Sequence, residues 1–426
     1  MSPVDLAGAG IGPVNLSLAA LAEPVADLTV ALYERGPEFR WHPGLLLDGV
    51  TLQVPFLADL VTLVDPTSAL SFLNYLREED RLFRFYFAER FHVPRAEYDG
   101  YCRWVSRRLA SCVFGTEITG IEWRDGLFRL RAASEVVSAR NLVLGIGTEP
   151  RLPEPLRRLA HDPGVPVLHS AEYLSHRERL LALPAVTVVG SGQSGAEVFL
   201  DLLRHRKRPE GLRWVTRTVS FAPMEYSKLG LEQFTPDYTR YFHALPEPER
   251  DRLLPEQWQL YKGIDSGTIA EIHDELYRRS VGGGWPGVTL TPGVEVVAAR
   301  RDGDRIALGL RHRQQGSAAT WMTDAVVAAT GYAERSLDAL LGPLADLVAR
   351  DGSGRPVVEH DYRLRLPPEI GGAIFVQNAE SHTHGVGAPD LGLAAWRAAS
   401  IINAVCGRTV YRLPSRTAFT RFGLEE

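Results

Sequence analysis

Cysteine is scarce in this chain. Its 426 residues include three, Cys102, Cys112 and Cys406, and no two of them form a C-x-x-C. A dithiol redox centre is therefore excluded, and a reducing, cytoplasmic setting is expected. Lysine is just as rare: Lys207, Lys228 and Lys262 stand alone among 47 basic residues, the rest being arginine. No apolar run approaches the roughly 18–20 residues of a membrane helix. The N-terminus lacks the basic and then apolar stretch of a signal peptide. No membrane partner is expected. A basic excess is also missing: the formal net charge is −5, which argues against nucleic acid as a partner. What remains is an ordinary globular composition, 45% hydrophobic and 23% charged, with length for two or three domains.

Glycine is present where it carries meaning. In "DLAGAGIGPVNLSLAAL" an apolar strand runs into Gly8, Gly10 and Gly12, and a helical pattern follows. Such glycines make a tight turn and let backbone N–H groups reach a phosphate at a helix N-terminus. Pro13 stands where a stricter pattern has a third glycine. The next strand, "LTVALYE", ends at Glu34, 26 residues beyond Gly8, a spacing that suits an acid accepting ribose hydroxyls. A plain turn with Glu34 on the surface is the alternative.

A second turn, "VVGSGQSGAE", carries the full G-x-G-x-x-G at Gly190, Gly192 and Gly195. The strand after its helix, "LRWVTR", ends at Arg217 with no acid there. An arginine at that place pairs with a 2′-phosphate, which favours NADPH over NADH; a solvated strand end is the alternative. Two more apolar strands, in "NLVLGIGTEPRLP" and "DAVVAATGY", run into glycine turns, the second with Thr330 and Gly331. These turns pass the chain between two nucleotide domains. The expected fold is α/β, with two Rossmann-like dinucleotide-binding domains for FAD and NADPH. The flavin domain spans 1–165 and 325–426. The NADPH domain spans 166–324 and carries a mainly helical, substrate-side insert at about 225–285, with prolines between its helices. The closing "YRLPSRTAFTRFGLEE" is expected to be a mobile tail.

Several stretches together are more specific: "EFRWHPGLLL", "LQVPFLADLVTLVDPTSALSFLNYL", "ATGY" and "QNAESHTHGVGAPDLGLAAWRAASIIN". With both glycine turns they resemble the flavin-dependent N-hydroxylating monooxygenases of siderophore biosynthesis, which act on ornithine, lysine and diamines. The resemblance covers about Asp5 to Val405. It implies that NADPH reduces FAD, that a C4a-hydroperoxyflavin forms with dioxygen, and that its oxygen passes to a neutral primary amine. Freeing an alkylamine of its proton at pH 7.5 costs about 4 kcal/mol, which a dry pocket reduces. By resemblance Gln53 lies beside the flavin, Gln193 and Ser194 near the nicotinamide, and Asp390 and Leu391 on the flavin side. Gln53 and Ser194 are the candidates closest to the chemistry. His42, in "WHPG", is either a packing histidine or a flavin-side group; Trp41 is read as core or ring stacking. A homotetramer is implied as well.

The chain departs from the ornithine enzymes where they grip an amino-acid head. Their "FLKDLV" lysine is Ala58 in "FLADLV"; Leu231 and Ile264 fall where they have asparagines, and Gly392 replaces a serine. A desolvated carboxylate without a cation is costly, so the expected substrate has no such head. The departures resemble the diamine branch, acting on cadaverine or putrescine. A far ammonium wants an acid, and Asp390, Glu380 and Glu225 are candidates. Lys228 or Lys262 could instead restore a carboxylate site, which would make the chain a lysine N6-monooxygenase. A Baeyer–Villiger or sulfur-oxidising flavoenzyme, faintly suggested by "GVPVLHSAEY", and a non-catalytic flavin-binding or redox-sensing protein are the other readings.

Overall fold

The computed structural model describes residues 2–132, 135–208 and 210–424. Two parallel sheets organise the chain. In the first, the strands Cys112–Phe114, Val30–Glu34, Val4–Ala9 and Glu135–Leu144 lie side by side, and Ile374–Val376 pairs with the end of Glu135–Leu144. An antiparallel hairpin, Ile118–Arg124 and Leu127–Ala132, adds to the start of the same long strand. These parallel strands are near-continuous apolar runs because both faces are covered. Helix Pro13–Ala22 is buried throughout; it begins with proline at its first turn, whose fixed φ suits that place, and continues in alanine and leucine. It packs against Ala394–Cys406, which turns Ala394, Ala395, Ala398, Ile401 and Ile402 inward.

The second sheet is wholly parallel, in the order Thr289–Thr291, Leu212–Val215, Val186–Val189, Ala325–Ala328, Val167–His169. A boundary at 324 would cut off an inner strand, since Ala325–Ala328 lies between two strands of this sheet. The apolar run before "TGY" belongs to the unit the chain is leaving, and the crossing comes after it. The two crossings, Thr148–Pro150 and Tyr332–Glu334, pair with each other antiparallel. An antiparallel sheet, Val294–Asp302, Arg305–His312 and Ala318–Thr323, packs alongside.

The insert comprises Leu231–Phe234, Pro236–Ala244, Glu247–Glu256, Trp258–Tyr261 and Ser266–Ser280. Its prolines sit at helix starts, at Pro236, Pro246 and Pro248, except Pro255, which lies in the last turn of its helix. Tyr238, Phe242 and Leu260 form a small core with Val386 of the C-terminal segment, seating the insert on it. The chain's end, expected to be mobile, is tied down. Asp237 Oδ2 accepts from the backbone of Thr417 and Ala418, Glu232 accepts from Phe419 and Thr420, and Phe422 packs edge-on against Tyr238. Its polar composition read as solvated; its partners are carboxylates of two helices distant in sequence, Leu231–Phe234 and Pro236–Ala244. Glu425 and Glu426 lie outside the described residues. Among the described residues, no helix is long and apolar enough to cross a membrane.

Candidate active site

The first glycine turn has the shape a pyrophosphate needs. Gly10 has φ +87°, and a Cβ there would collide with the Gly145 carbonyl. A Cβ on Gly8 would press on Leu32 and Val143 of the flanking strands. At Gly12, which caps helix Pro13–Ala22, a Cβ would meet nothing within 4 Å. The turn is thus packed on one side and open at the helix N-terminus, where an anion is favoured. Glu34 stands beside it: its Oε2 accepts from Ile11 N–H at 3.1 Å and its Oε1 from Gly36 N–H at 2.8 Å. Asn15 and Gln377 hold the turn from beneath. Asn15 Nδ2 donates to the Gly10 carbonyl at 2.7 Å, and Gln377 Nε2 donates to Asn15 Oδ1 at 2.7 Å. Sequence reasoning missed both; an asparagine inside an otherwise apolar, buried helix was the available signal.

The second turn repeats the design. Gly190 has φ +125°, with the Ala329 carbonyl against it, and a Cβ on Gly192 would meet only the Lys262 carbonyl, at 3.5 Å. Helix Gln193–His205 starts there. Arg217 is exposed just past strand Leu212–Val215. Both turns therefore fit the dinucleotides expected of them. Ser194 is half-buried in the first helical turn. Gln193 is fully engaged: Nε2 donates to Glu197 Oε1 and to Thr268 Oγ1, each at 3.0 Å, and Oε1 accepts from Asp265 N–H at 2.8 Å.

Aromatic rings pack together where the two units meet. His42 packs edge-on to Trp41 and Tyr332, with centroids 4.9 and 5.7 Å apart, and Tyr332 meets His169 at 5.0 Å. Trp41 also packs on Tyr98 and against the core formed with helices Pro13–Ala22 and Ala394–Cys406, consistent with a packing role. His42 has φ +48°, a left-handed conformation uncommon outside glycine. Crowding by protein, then the charge of Arg95, pushes its imidazole down to about 4. The direction favours neutral imidazole. Gln53 is half-buried, its Nε2 donating to the Thr51 carbonyl at 2.9 Å. Thr330 Oγ1 donates to the Arg151 carbonyl, and Gly331, at φ +79°, accepts from His169 Nε2, tying the crossing together.

Ala58, Asp390 and Gly392 come together. A Cβ at Gly392 would lie 4.0 Å from Ala58 Cβ and 2.8 Å from Asp390 Oδ1. Asp390 caps the short helix Leu391–Leu393, accepting from Gly392 N–H at 2.7 Å, and burial raises its carboxyl to about 6. Tyr226 of the insert is near enough to feel its charge. The other acids are elsewhere. Glu380 is fully buried and bonded to Arg397 at 2.8 Å, so it is not free for an ammonium. Glu225 is exposed and folds onto Ser227 N–H at 2.5 Å. Ile264 is buried in the core packed on the second sheet and cannot face a substrate; Leu231 is 38% exposed on the insert. Lys228 is exposed, and Lys262, also exposed, rests its ammonium 4.7 Å from the Tyr261 ring. Arg397, not singled out from sequence, also donates to the carbonyls of Ala388 and Asp390, holding the loop that presents Asp390. A cavity of about 730 Å3, lined by residues such as Arg363, Leu366 and Phe375, includes none of these groups.

The family model for L-lysine 6-monooxygenase/L-ornithine 5-monooxygenase matches residues 2–334. The chain belongs to this family. It is 46% identical to the rhizobactin siderophore biosynthesis protein RhbE of Rhizobium meliloti, over 100% of this chain and 96% of that protein. It is 41% identical to the putrescine N-hydroxylase of Shewanella oneidensis, over 98% and 84% respectively. The FAD-bound cadaverine monooxygenase DfoA of Erwinia amylovora superimposes with a TM-score of 0.93 at 36% identity, covering 100% of both chains. As a member of this family the chain is an FAD- and NADPH-dependent N-hydroxylating monooxygenase, taking an amine and dioxygen. The two-nucleotide architecture expected from sequence is that of its structural neighbours.

Proposed function

We propose that this enzyme hydroxylates one nitrogen of an aliphatic diamine, putrescine or cadaverine, to supply a hydroxamate siderophore. The observation that carries the reading is the cluster of Ala58, Gly392 and Asp390. Where the ornithine enzymes place a cation for a carboxylate, this chain has a methyl group and a neighbouring acid. Asp390 holds the far ammonium through a charge-assisted hydrogen bond, worth about 1.5–3 kcal/mol. Of the three candidate acids it is the one that lies beside Ala58 and Gly392, whereas Glu380 is consumed by its ion pair with Arg397 and Glu225 is exposed.

Bound FAD accepts two electrons from NADPH and activates dioxygen. The balance is amine, O2, NADPH and a proton giving hydroxylamine, water and NADP+. The chain's own residues bind and orient. The first turn with Glu34 seats the flavin nucleotide, and the second turn with Arg217 seats NADPH, its guanidinium pairing with the 2′-phosphate. The reacting nitrogen must be unprotonated to attack. Gln53 and Ser194 face the reacting groups from the flavin and nicotinamide sides. Relatives named for putrescine and cadaverine support the substrate class. The proposal also places the flavin unit at 1–165 and from 329 onward, and the enzyme in the cytoplasm as a homotetramer.

The test is hydroxylamine formation coupled to NADPH oxidation across putrescine, cadaverine, lysine and ornithine. The expected order puts both diamines first. Lysine first would overturn the reading and direct attention to Lys228 and Lys262.

A further inference from the structure

A buried ion pair joins the two nucleotide units, with its arginine near enough to His42 for its charge to act on that ring. Arg95, at the start of helix Arg95–Ser106 in the flavin unit, meets Glu197, on the helix that opens the second turn. The pairing is a fork: Nη2 to Oε1 at 2.7 Å and Nη1 to Oε2 at 3.0 Å, with side chains 9% and 2% exposed. Each end continues into the site. On the flavin side, Arg95 Nη1 also donates to the Leu45 carbonyl, just after the "WHPG" stretch, and Arg95 N–H donates to the Val50 carbonyl, three residues before Gln53. On the nicotinamide side, Glu197 Oε1 also accepts from Gln193 Nε2, and Gln193 in turn holds Asp265 and Thr268 at the start of helix Ser266–Ser280. Contacts therefore run unbroken from the backbone near Gln53 to the second turn and on to the insert.

A buried pair of this kind is poor evidence for stability, because desolvation offsets most of the attraction. Its fork geometry does fix position and angle. We propose that Arg95, Glu197 and Gln193 form a positioning latch. It sets the second glycine turn against the flavin unit, and so sets where the nicotinamide meets the flavin. These are positioning residues acting through the turn. The inference rests on the NADPH assignment of that turn but not on the amine.

The test uses the FAD-loaded enzyme without amine, so failure of the diamine reading leaves it untouched. Glu197→Gln keeps the shape and removes the charge. Two results are expected together. Hydrogen exchange should rise in the first turns of Gln193–His205 and Ser266–Ser280. Anaerobic flavin reduction by NADPH should slow by at least tenfold, while reduction by dithionite, which needs no docking, stays at the wild-type rate. Arg95→Lys, which keeps the cation but loses the fork, should show the same pattern, and the double variant should be no slower than the worse single one. Should Glu197→Gln be recovered without flavin, Arg95→Lys carries the test. Unchanged NADPH reduction, slowed reduction without the rise in exchange, or equal slowing with dithionite would each overturn the latch.

Discussion

Restoring a lysine at position 58 tests the substrate reading at its centre. Ala58 is 5% exposed, and its neighbour across the Gly392 position is Asp390. From sequence alone, a lysine there would be an ammonium without a partner in a partly buried cleft. The structure changes the reason: Ala58→Lys would find Asp390 and pair with it. A carboxylate engaged by an internal cation no longer holds the far ammonium of a diamine, and the new charge repels that ammonium. Losing one charge-assisted hydrogen bond costs about 1.5–3 kcal/mol, so kcat/KM for cadaverine and putrescine should fall by at least about tenfold, which is 1.4 kcal/mol. The loss should fall mainly on KM, because the reacting nitrogen is at the other end of the substrate. Lysine turnover should stay small, since Leu231 and Gly392 supply no further polar grip. The assay is coupled hydroxylation by wild type and variant on the four amines, with FAD content and NADPH-driven flavin reduction as controls. An unchanged KM for diamines in an FAD-loaded variant would refute the placement of the far ammonium beside Asp390.

Asp390 should also show in the pH profile. Its carboxyl, raised to about 6 by burial, is ionised above that pH and protonated below it. The kcat/KM for a diamine should therefore drop as pH falls through about 6, and Asp390→Asn, which retains a capping oxygen, should lower the plateau and abolish that acid limb. An acid limb surviving in the variant belongs to another group. Gly10→Val should give protein without FAD or without a fold, whereas Gly192→Val should remain yellow but resist reduction by NADPH, as absorbance spectra would show; exchanged phenotypes would mean the two nucleotide sites are swapped. Arg217→Ala should raise the KM for NADPH much more than that for NADH in steady-state assays, and equal effects would remove the 2′-phosphate role.

The parts legible in the sequence were those with a short-range physical signature. A strand, a tight turn and a helix start are written within about fifteen residues, so both nucleotide turns could be read directly. The departures at Ala58 and Gly392 were legible because each replaces a charged or polar group with one that cannot do its work. Partnerships between distant residues were not legible. Glu380 looked as available as Asp390 until Arg397, 17 positions on, was seen to hold it. Asp237 and Glu232 gave no sign of reaching the C-terminal segment, some 180 positions away, and that segment read as a mobile tail. The inner strand Ala325–Ala328 was assigned to the wrong unit by the same limit: an apolar run states that it is buried but not in which sheet.

Gln193 shows how such hidden partnerships bear on function. In sequence it is the residue after Gly192, and by resemblance its side chain belongs beside the nicotinamide. In the structure both ends of its amide are already bonded to protein, to Glu197, Thr268 and Asp265. An amide so held cannot turn to follow a ligand, but it can fix the backbone to which it is attached. A flavin enzyme that must bring two nucleotides together gains more from a turn that does not move than from one further contact. The glycines shape the cradle, and the polar groups behind them decide where it points.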